Sequence, residues 1–458
     1  MQQDYLTRLC LRHNALVLSV DEAAIHIAVV GNPAPELMES LRFATQKHID
    51  IACWSAEQFE KQQQLTAPLD AAQEESGPAA ERVNQILQQA LLRRASDIHI
   101  EPGETACQLR LRIDGVLQAL APVPVDFGLI LTARLKVLGK LDIAERRLPQ
   151  DGQFTTELEG KAVSFRLSTL PCRYGEKVVL RVLQQTEQAL EIEALGMSAQ
   201  QQAQFSQALG APQGLILVTG PTGSGKTITL YSALGALNNP RVNLCSVEDP
   251  IEIPLPGLNQ TQINPKAGLT FQSVLRALLR QDPDIIMIGE IRDGETAEIA
   301  IKAAQTGHLV LSTLHTNSTT DTLVRLEQMG IPRWMLTSAL RLVIAQRLVR
   351  KLCPFCRVAL PEPLHLPAAL FPRPLPHWQA KGCERCYGGY YGRLALFELL
   401  PVENMLRQAI LEGLPASDIE TLARQQGMVS LFASGCQAVE EGRTTAEELY
   451  RVLGFPDG

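Results

Sequence analysis

A glycine-rich segment, GPTGSGKT at residues 220–227, carries the residue types that bind phosphate. It satisfies the pattern G-x-x-x-x-G-K-[ST], between an apolar strand-like run, LILVTG, and a helix-like run, TITLYSALGAL. In that context backbone N–H groups wrap phosphate oxygens, the lysine reaches the β- and γ-phosphates, and the hydroxyl coordinates Mg²⁺. The pattern therefore predicts a nucleotide site. Its residues are Gly220, Pro221, Thr222, Gly223, Ser224, Gly225, Lys226 and Thr227.

Acidic residues end two further apolar runs, and they are candidates for holding the metal and activating water. VNLCSVEDP places Glu248 just before a proline, and DPDIIMIGE ends in Glu290. Such runs predict parallel strands, and open α/β sheets bind ligands at the ends of their strands. A phosphate-loop protein usually has a second strand that ends in an Asp, which helps to hold Mg²⁺. Glu290 therefore serves the metal, activates the attacking water or caps a turn.

Other candidate residues are less specific. GHLVLSTLHTN places His308 and His315 at the two ends of one predicted strand, and each is as consistent with a structural role as with a functional one. Arg276 and Arg280 lie four residues apart on one predicted helix. They form a solvated helix face, or they bind phosphate in a neighbouring subunit.

Four cysteines form two CxxC pairs, LCPFC and GCERC, separated by residues 357–382. Four thiolates suit a structural Zn²⁺ ion, which prefers a closed tetrahedral site. The separation is longer than in a common zinc ribbon, and a redox-active dithiol is the alternative. The predicted zinc ligands are Cys353, Cys356, Cys383 and Cys386.

Composition limits the class of protein. The chain has 458 residues, of which 45% are hydrophobic and 20% charged, as in a soluble globular protein of about three domains. A net charge of −7 gives no bulk attraction for nucleic acid, so no direct nucleic-acid contact is expected. No apolar run approaches the ~20 residues of a transmembrane helix, and nothing at the N-terminus resembles a signal peptide. With no sign of a disulfide scaffold, these features predict a cytoplasmic protein.

The periodicity of the sequence gives the elements that position these residues. CQLRLRIDGVL alternates apolar with basic residues, which predicts a strand with one buried face. Apolar strands alternating with helices from about residue 201 predict a mainly parallel sheet covered on both sides. The predicted divisions are a small α/β module at 1–60, a linker at 61–80, a second α/β domain at 81–200, a phosphate-loop domain at 201–350, the tetracysteine element at 351–390 and a helical region at 391–458.

Several motifs, taken together, resemble one family. SVEDPIE, RALLRQDPDIIMIGEIRDGETAEIA and TGHLVLSTLHTN are similar to the Asp box, Walker B and His box of the secretion ATPases, which power type II secretion and type IV pilus assembly. ASDIHIEP, RLPQDGQF and STLP resemble the second N-terminal domain of that family. The resemblance covers roughly residues 81–455. It implies an α/β fold with a RecA-like P-loop NTPase domain, preceded by a smaller PAS-like α/β domain and followed by a tetracysteine zinc element and C-terminal helices.

The resemblance also implies roles for individual residues. Glu248 corresponds to the acid that polarises the attacking water, and Glu290 to the acid that orders Mg²⁺, although the division between these two roles is open. His308 and His315 correspond to the His box, where a histidine senses the γ-phosphate. Arg166 and Arg181 correspond to arginines of the second domain that reach the nucleotide phosphates.

The implied activity is ATP hydrolysis by a homohexamer that uses ATP, Mg²⁺ and Zn²⁺. The implied partners are an inner-membrane platform protein and the cytoplasmic domain of a membrane assembly protein, with the first 60 residues as a docking module. Such a protein associates peripherally with the inner membrane and drives assembly of a type IV pilus or a type II pseudopilus. The alternatives are a motor for DNA uptake or nucleic-acid translocation, and an inactive scaffold, against which the intact Lys226, Thr227, Glu248 and Glu290 argue.

Overall fold

A computed structural model gives the structure of residues 79–158, 160–183, 190–367 and 370–455. Of the first sixty residues, it describes 10, 15–20, 24–31, 33, 37–38, 41, 47–55 and 58–59. The predicted linker at 61–80 lies outside the described residues except for its last two. The chain divides into two units, residues 1–184 and 185–458.

The first sixty residues contain a three-stranded sheet, β1 (Ala15–Val20), β2 (Ala24–Val30) and β3 (His48–Trp54). β2 pairs antiparallel with β1 and parallel with β3. The alternating apolar side chains of β2 are buried against residues 37 and 41, both helical leucines.

A six-stranded antiparallel sheet, ordered β6-β5-β4-β9-β8-β7, forms the rest of the first unit. Two helices, α1 and α2, pack against it. The alternation in CQLRLRI appears directly, because every second residue of β5 is buried. The elements are α1 (Ala79–Leu92), β4 (Ala95–Pro102), β5 (Cys107–Ile113), β6 (Val116–Ala119), α2 (Val125–Leu138), β7 (Gln150–Leu158), β8 (Lys161–Cys172) and β9 (Gly175–Leu183).

The second unit is built on a seven-stranded sheet, ordered β12-β11-β13-β14-β10-β15-β18. Its neighbours pair in parallel except for β18, which runs antiparallel to β15. The strands are β10 (Gly214–Thr219), β11 (Leu244–Glu248), β12 (Asn259–Gln262), β13 (Ile285–Ile288), β14 (Leu309–Leu314), β15 (Leu340–Leu352) and β18 (Tyr390–Pro401).

Helices cover both faces of this sheet, which confirms the predicted α/β architecture. Alternate residues of β10 enter different cores: Leu215 and Leu217 on one face, Ile216 and Val218 on the other. A strand buried on both faces is apolar throughout, and β10 has no exposed residue. The helices are α3 (Ala199–Leu209), α4 (Lys226–Leu237), α5 (Phe271–Leu278), α6 (Gly294–Gln305), α7 (Thr319–Gln328) and α8 (Arg333–Ala339).

The region past residue 350 contains strands that the sequence did not suggest. β16 (Arg357–Leu364) and β17 (Leu375–Ala380) form a hairpin between the two CxxC pairs. The region predicted as helical from 391 opens instead with β18, because a short apolar run such as LALFELL does not distinguish a strand from a helix. The predicted C-terminal helices follow: α9 (Asn404–Glu412), α10 (Ala416–Gln425), α11 (Leu431–Glu440) and α12 (Ala446–Leu453).

None of the helices within the described ranges is both long enough and apolar enough to cross a membrane.

Candidate nucleotide-binding site and tetracysteine cluster

The glycine-rich segment forms a tight loop between β10 and α4. Gly220 has a φ of 147°, and a Cβ there would lie 2.5 Å from the carbonyl oxygen of Gln346. Gly225 has a φ of 88°, and a Cβ there would lie 2.8 Å from Nε2 of Gln346. Only glycine fits both positions, so the loop approaches the neighbouring strand closely at its two ends. Pro221, Thr222, Gly223 and Thr227 are exposed, while Ser224 is buried.

Lys226, the first residue of α4, is 8% exposed. Its Nζ donates to the carbonyl oxygens of Gly220 at 2.7 Å and Pro221 at 3.2 Å. Burial lowers the pKa of Lys226 to about 8; Glu290 opposes this shift and Arg347 adds to it. The ammonium group therefore lies inside the loop, on carbonyl oxygens that a phosphate can replace.

Glu248 ends β11 and is buried, with both carboxylate oxygens engaged. The hydroxyls of Tyr231 and Ser246 donate to Oε2 and Oε1 respectively, and Nε2 of Gln260 donates to Oε1 at 3.1 Å. Burial, together with the hydrogen bond to Glu248, raises the pKa of Tyr231 well above its usual value. Three donors therefore fix the orientation of the Glu248 carboxylate.

Glu290 lies two residues past the end of β13, within a cluster of charged groups. Arg292 donates to its Oε1, and Nε2 of His315 lies 3.5 Å from its Oε2. Arg292 also approaches Asp249, at 3.8 Å. The effect of Glu290 on the pKa of Lys226 places the two charges close to each other. The structure thus brings together Lys226, Glu290 and His315, three of the residues singled out in the sequence.

His308 lies outside this cluster. Its Nδ1 contacts the carbonyl oxygen of Ala303 at 2.9 Å, and its own carbonyl accepts from the N–H of Gly214, the residue that begins β10. The phosphate loop follows the opposite end of β10, about 20 Å away at 3.3 Å per residue. The contacts of His308 are those of a structural residue.

The predicted arginines lie in the first unit. Arg166 on β8 and Arg181 on β9 are directly paired across the two strands, and Nε of Arg181 donates to Asp97 at 3.0 Å. Like charges directly opposite each other are unfavourable in a sheet, and the Asp97 carboxylate offsets the charge of Arg181. Arg276 of the second unit is exposed on α5 and bonded to Glu295. Arg280 lies two residues past the end of α5 rather than on the same helix, and it donates to the carbonyl of Arg276.

Sequence reasoning missed several residues around the site. Arg292 follows Glu290 by two positions, so its proximity could have been anticipated. Tyr231 lies five residues after Lys226 and is the only tyrosine in α4. Gln346 and Arg347 gave no local signal, since they reach the loop through the pairing of β15 with β10.

The four predicted zinc ligands converge. All four Sγ atoms lie within 4.8 Å of one another, and the measured pairs are Cys353–Cys383 at 3.8 Å, Cys356–Cys386 at 3.6 Å and Cys383–Cys386 at 3.7 Å. Tetrahedral Zn–S bonds of about 2.3 Å place sulfur atoms about 3.8 Å apart. The thiol set therefore fits a structural zinc ion.

Comparison with known proteins agrees with this geometry. Residues 72–451 match the family model described as type II/IV secretion system protein. Over 456 residues, 99% of each chain, the sequence is 65% identical to the protein transport protein HofB homolog of Escherichia coli K12. It is 47% identical over 385 residues to type II secretion system protein E of Dickeya dadantii, covering 83% of this chain and 76% of that protein.

A further relative is the type IV pilus assembly ATPase PilB of Acinetobacter baylyi, 45% identical over 82% of this chain and 67% of that protein. Among solved structures, the pilus retraction motor PilT with bound ADP is 28% identical, with a TM-score of 0.56 over 82% of this chain and 97% of that one. The Legionella pneumophila ATPase DotB shares the fold, with a TM-score of 0.60 at 21% identity over 81% and 94% of the two chains. With its phosphate loop and this extent of match, the chain belongs to the type II/IV secretion system protein family and is a P-loop ATPase.

Proposed function

We propose that the chain is a cytoplasmic, hexameric ATPase that drives assembly of a type IV pilus or a type II secretion pseudopilus at the inner membrane. The observation that carries the proposal is the cluster of Lys226, Glu290 and His315 beside the phosphate loop. The relatives named for pilus assembly and type II secretion support the choice of process. The partners are an inner-membrane platform protein and the cytoplasmic domain of a membrane assembly protein.

In this proposal the phosphate loop binds ATP, and Lys226 leaves the carbonyl oxygens of Gly220 and Pro221 for the phosphates. The hydroxyl of Thr227 and the carboxylate of Glu290 would hold Mg²⁺, directly or through water; both are oxygen ligands of the kind that this ion prefers. When bound, Mg²⁺ neutralises charge on the transferred phosphoryl group. His315, beside Glu290, senses the γ-phosphate.

Glu248 is the proposed base that polarises the attacking water. A base must keep a fixed orientation, and the donors from Tyr231, Ser246 and Gln260 supply it. Arg166 and Arg181, supplied by the first unit, stabilise charge on the phosphates in the transition state. The side chain of Arg181 is 54% exposed even though it donates to Asp97, so its guanidinium is accessible to a second anion.

The four cysteines would hold one Zn²⁺ ion as a structural site, with no open position for catalysis. The ion would hold the start and the end of the segment between the CxxC pairs together. That segment contains a hairpin whose Trp378 donates to the carbonyl of Val439 on α11.

ATP turnover and filament assembly test this proposal in two stages. The purified chain is expected to hydrolyse ATP as a hexamer, and Lys226→Ala to abolish turnover while the hexamer persists in mass photometry. In cells, a strain that lacks the chain is expected to lose surface filaments or secreted protein, and wild type but not Lys226→Ala to restore them. Wild-type turnover in Lys226→Ala would contradict the nucleotide site, and intact filaments and secretion in the deletion strain would contradict the process.

A further inference from the structure

Two residues of β15, Gln346 and Arg347, lie against the phosphate loop. β15 pairs with β10 as far as Ala345 opposite Thr219, so the next two residues extend past the end of β10. The hydroxyl of Thr229 donates to Oε1 of Gln346 at 2.7 Å. Nε2 of Gln346 lies 2.8 Å from the position that a Cβ on Gly225 would occupy. NH1 of Arg347 lies 3.1 Å from the position that a Cβ on Gly220 would occupy.

Arg347 is a buried cation, 7% exposed. Its guanidinium donates to the carbonyl oxygen of Gln346 at 3.0 Å and to Asn317, at 2.9 Å to the carbonyl and 3.2 Å to Oδ1. Asn317 belongs to the loop after β14, two residues past His315. Arg347 therefore packs beside Gly220 at the start of the phosphate loop and is hydrogen-bonded to the loop that contains His315.

The charge of Arg347 has no carboxylate in salt-bridge contact within the part of the chain that the structure describes. Two carboxylates, of the buried Glu398 and the exposed Asp321, are close enough to act on Arg347 electrostatically. The carboxylate oxygens of Glu398 accept from the N–H and hydroxyl of Thr319 and from the N–H of Leu431. A buried cation without an ion pair is costly. If only shape mattered at this position, an apolar side chain would remove that cost.

The position of the charge suggests what offsets the cost. Nζ of Lys226 donates to the carbonyl oxygen of Gly220, and NH1 of Arg347 lies beside the Cα of the same glycine, so two positive charges lie close to the start of the loop. The charge of Arg347 lowers the pKa of Lys226. Their repulsion falls when an anion enters, and it falls more for a ligand with more negative charge. At the reduced dielectric of a buried site, one unit of charge has a larger effect than it has in water.

We propose that Arg347 is a positioning residue of the nucleotide site: it holds Gly220 and Asn317 in one arrangement and favours the nucleotide with the larger phosphate charge. The proposal rests on the proposed nucleotide site. Arg347 touches neither the substrate nor the reacting atoms; it acts through the loop and through its fixed charge. It therefore contributes to the preference for ATP over ADP that a motor needs in each cycle.

The test compares the affinities for two ligands, Mg²⁺ADP and the slowly hydrolysed analogue Mg²⁺AMP-PNP, by calorimetry on the full-length chain. For Arg347→Met, the affinity for AMP-PNP is expected to fall about tenfold and that for ADP about threefold, where tenfold corresponds to ~1.4 kcal/mol. Arg347→Lys keeps the charge without the planar fork, and is expected to lose affinity for both ligands equally. Arg341→Met, on the same strand but at its other end, is the matched control.

Equal losses for both ligands in Arg347→Met would overturn the proposal, since a purely structural role weakens both alike. If Arg347→Met does not fold, Arg347→Gln removes the same charge but keeps a polar side chain. The ratio of its affinity losses for AMP-PNP and ADP then decides. A loss in Arg341→Met as large as in Arg347→Met would also overturn it. If the wild-type chain binds neither ligand, the proposed nucleotide site itself fails, which is a different result from an unchanged ratio.

Discussion

The hydroxyl of Tyr231 donates a hydrogen bond to the carboxylate of Glu248, and both side chains are buried. Tyr231 lies on α4, the helix that begins at Lys226, whereas Glu248 ends β11. One contact thus joins the phosphate-binding helix to the proposed base. A shift of α4 would therefore also move a hydrogen-bond donor of Glu248.

Tyr231→Phe is expected to lower kcat about tenfold and leave KM nearly unchanged, because it removes one donor, worth ~1.5 kcal/mol, from a charged acceptor. Steady-state ATP turnover measures both constants. Tyr174→Phe, which removes only an exposed hydroxyl contact, is the control. In the double variant with Glu248→Gln, the effect of Tyr231→Phe should disappear; additive losses would separate Tyr231 from Glu248.

Glu290→Gln is expected to lower kcat at least a hundredfold and to raise the Mg²⁺ concentration needed for half-maximal turnover, since it removes a fixed charge from the reacting centre. A Mg²⁺ titration of turnover provides the measurement. Glu295→Gln, an exposed change nearby on α6, should leave both quantities unaltered. Full Mg²⁺-dependent activity in Glu290→Gln would remove Glu290 from the mechanism.

Arg181→Ala is expected to reduce kcat about a thousandfold while nucleotide affinity changes little, as for an arginine that acts on the transition state. Turnover and ADP binding should be measured on the same preparation. Arg173→Ala, on the turn that precedes β9, provides a matched loss of charge. Unchanged turnover in Arg181→Ala would show that Arg181 is a surface residue of the sheet with no role in hydrolysis.

Cys383→Ser is expected to lower the zinc content from one ion per chain to none and to increase hydrogen exchange in residues 353–389, because the metal ties this segment together. Metal analysis and exchange mass spectrometry provide the readouts. Cys172→Ser, at an exposed free cysteine, should change neither. Wild-type protein purified without chelator and free of zinc would refute the metal site.

Glu448→Gln is expected to destabilise α12 by ~3 kcal/mol at pH 7, because the buried carboxylate accepts hydrogen bonds from Arg350 and Arg451. Despite burial, these arginines lower the pKa of Glu448 in the folded chain. The carboxylate therefore stabilises the fold above its unfolded pKa of about 4.3, and this contribution fades as pH falls through the lower folded value. Hydrogen exchange of residues 446–453 measures it.

Glu440→Gln, which breaks a more exposed pair with Arg373, is the control for Glu448→Gln. Its effect on exchange should stay within ~0.5 kcal/mol. A difference between wild type and Glu448→Gln that stays constant from pH 7 to below pH 4 would contradict the linkage.

The sequence predicted those parts of the fold in which periodicity and local motifs act together. The strand before Gly220 and the antiparallel β5 were visible in the spacing of apolar residues, and the CxxC pairs indicated their own convergence. Arg347 and Glu398 could not be found in this way, because their roles depend on the register between β15, β10 and β18. The sequence placed His308 and His315 at opposite ends of one strand, but only their contacts, with the carbonyl of Ala303 and with Glu290 respectively, show which of them lies beside the phosphate loop.

Leu352 and Tyr390 are register partners at the end of the β15–β18 pair, and the N–H of Cys353 donates to the carbonyl of Gly389 at 2.9 Å. The segment between Leu352 and Tyr390, which includes the tetracysteine cluster and its hairpin, leaves the sheet and returns to it at the same point. The tetracysteine segment is thus a modular insertion across a hairpin end, and its loss or exchange for a tight turn would preserve the strand order of the motor domain.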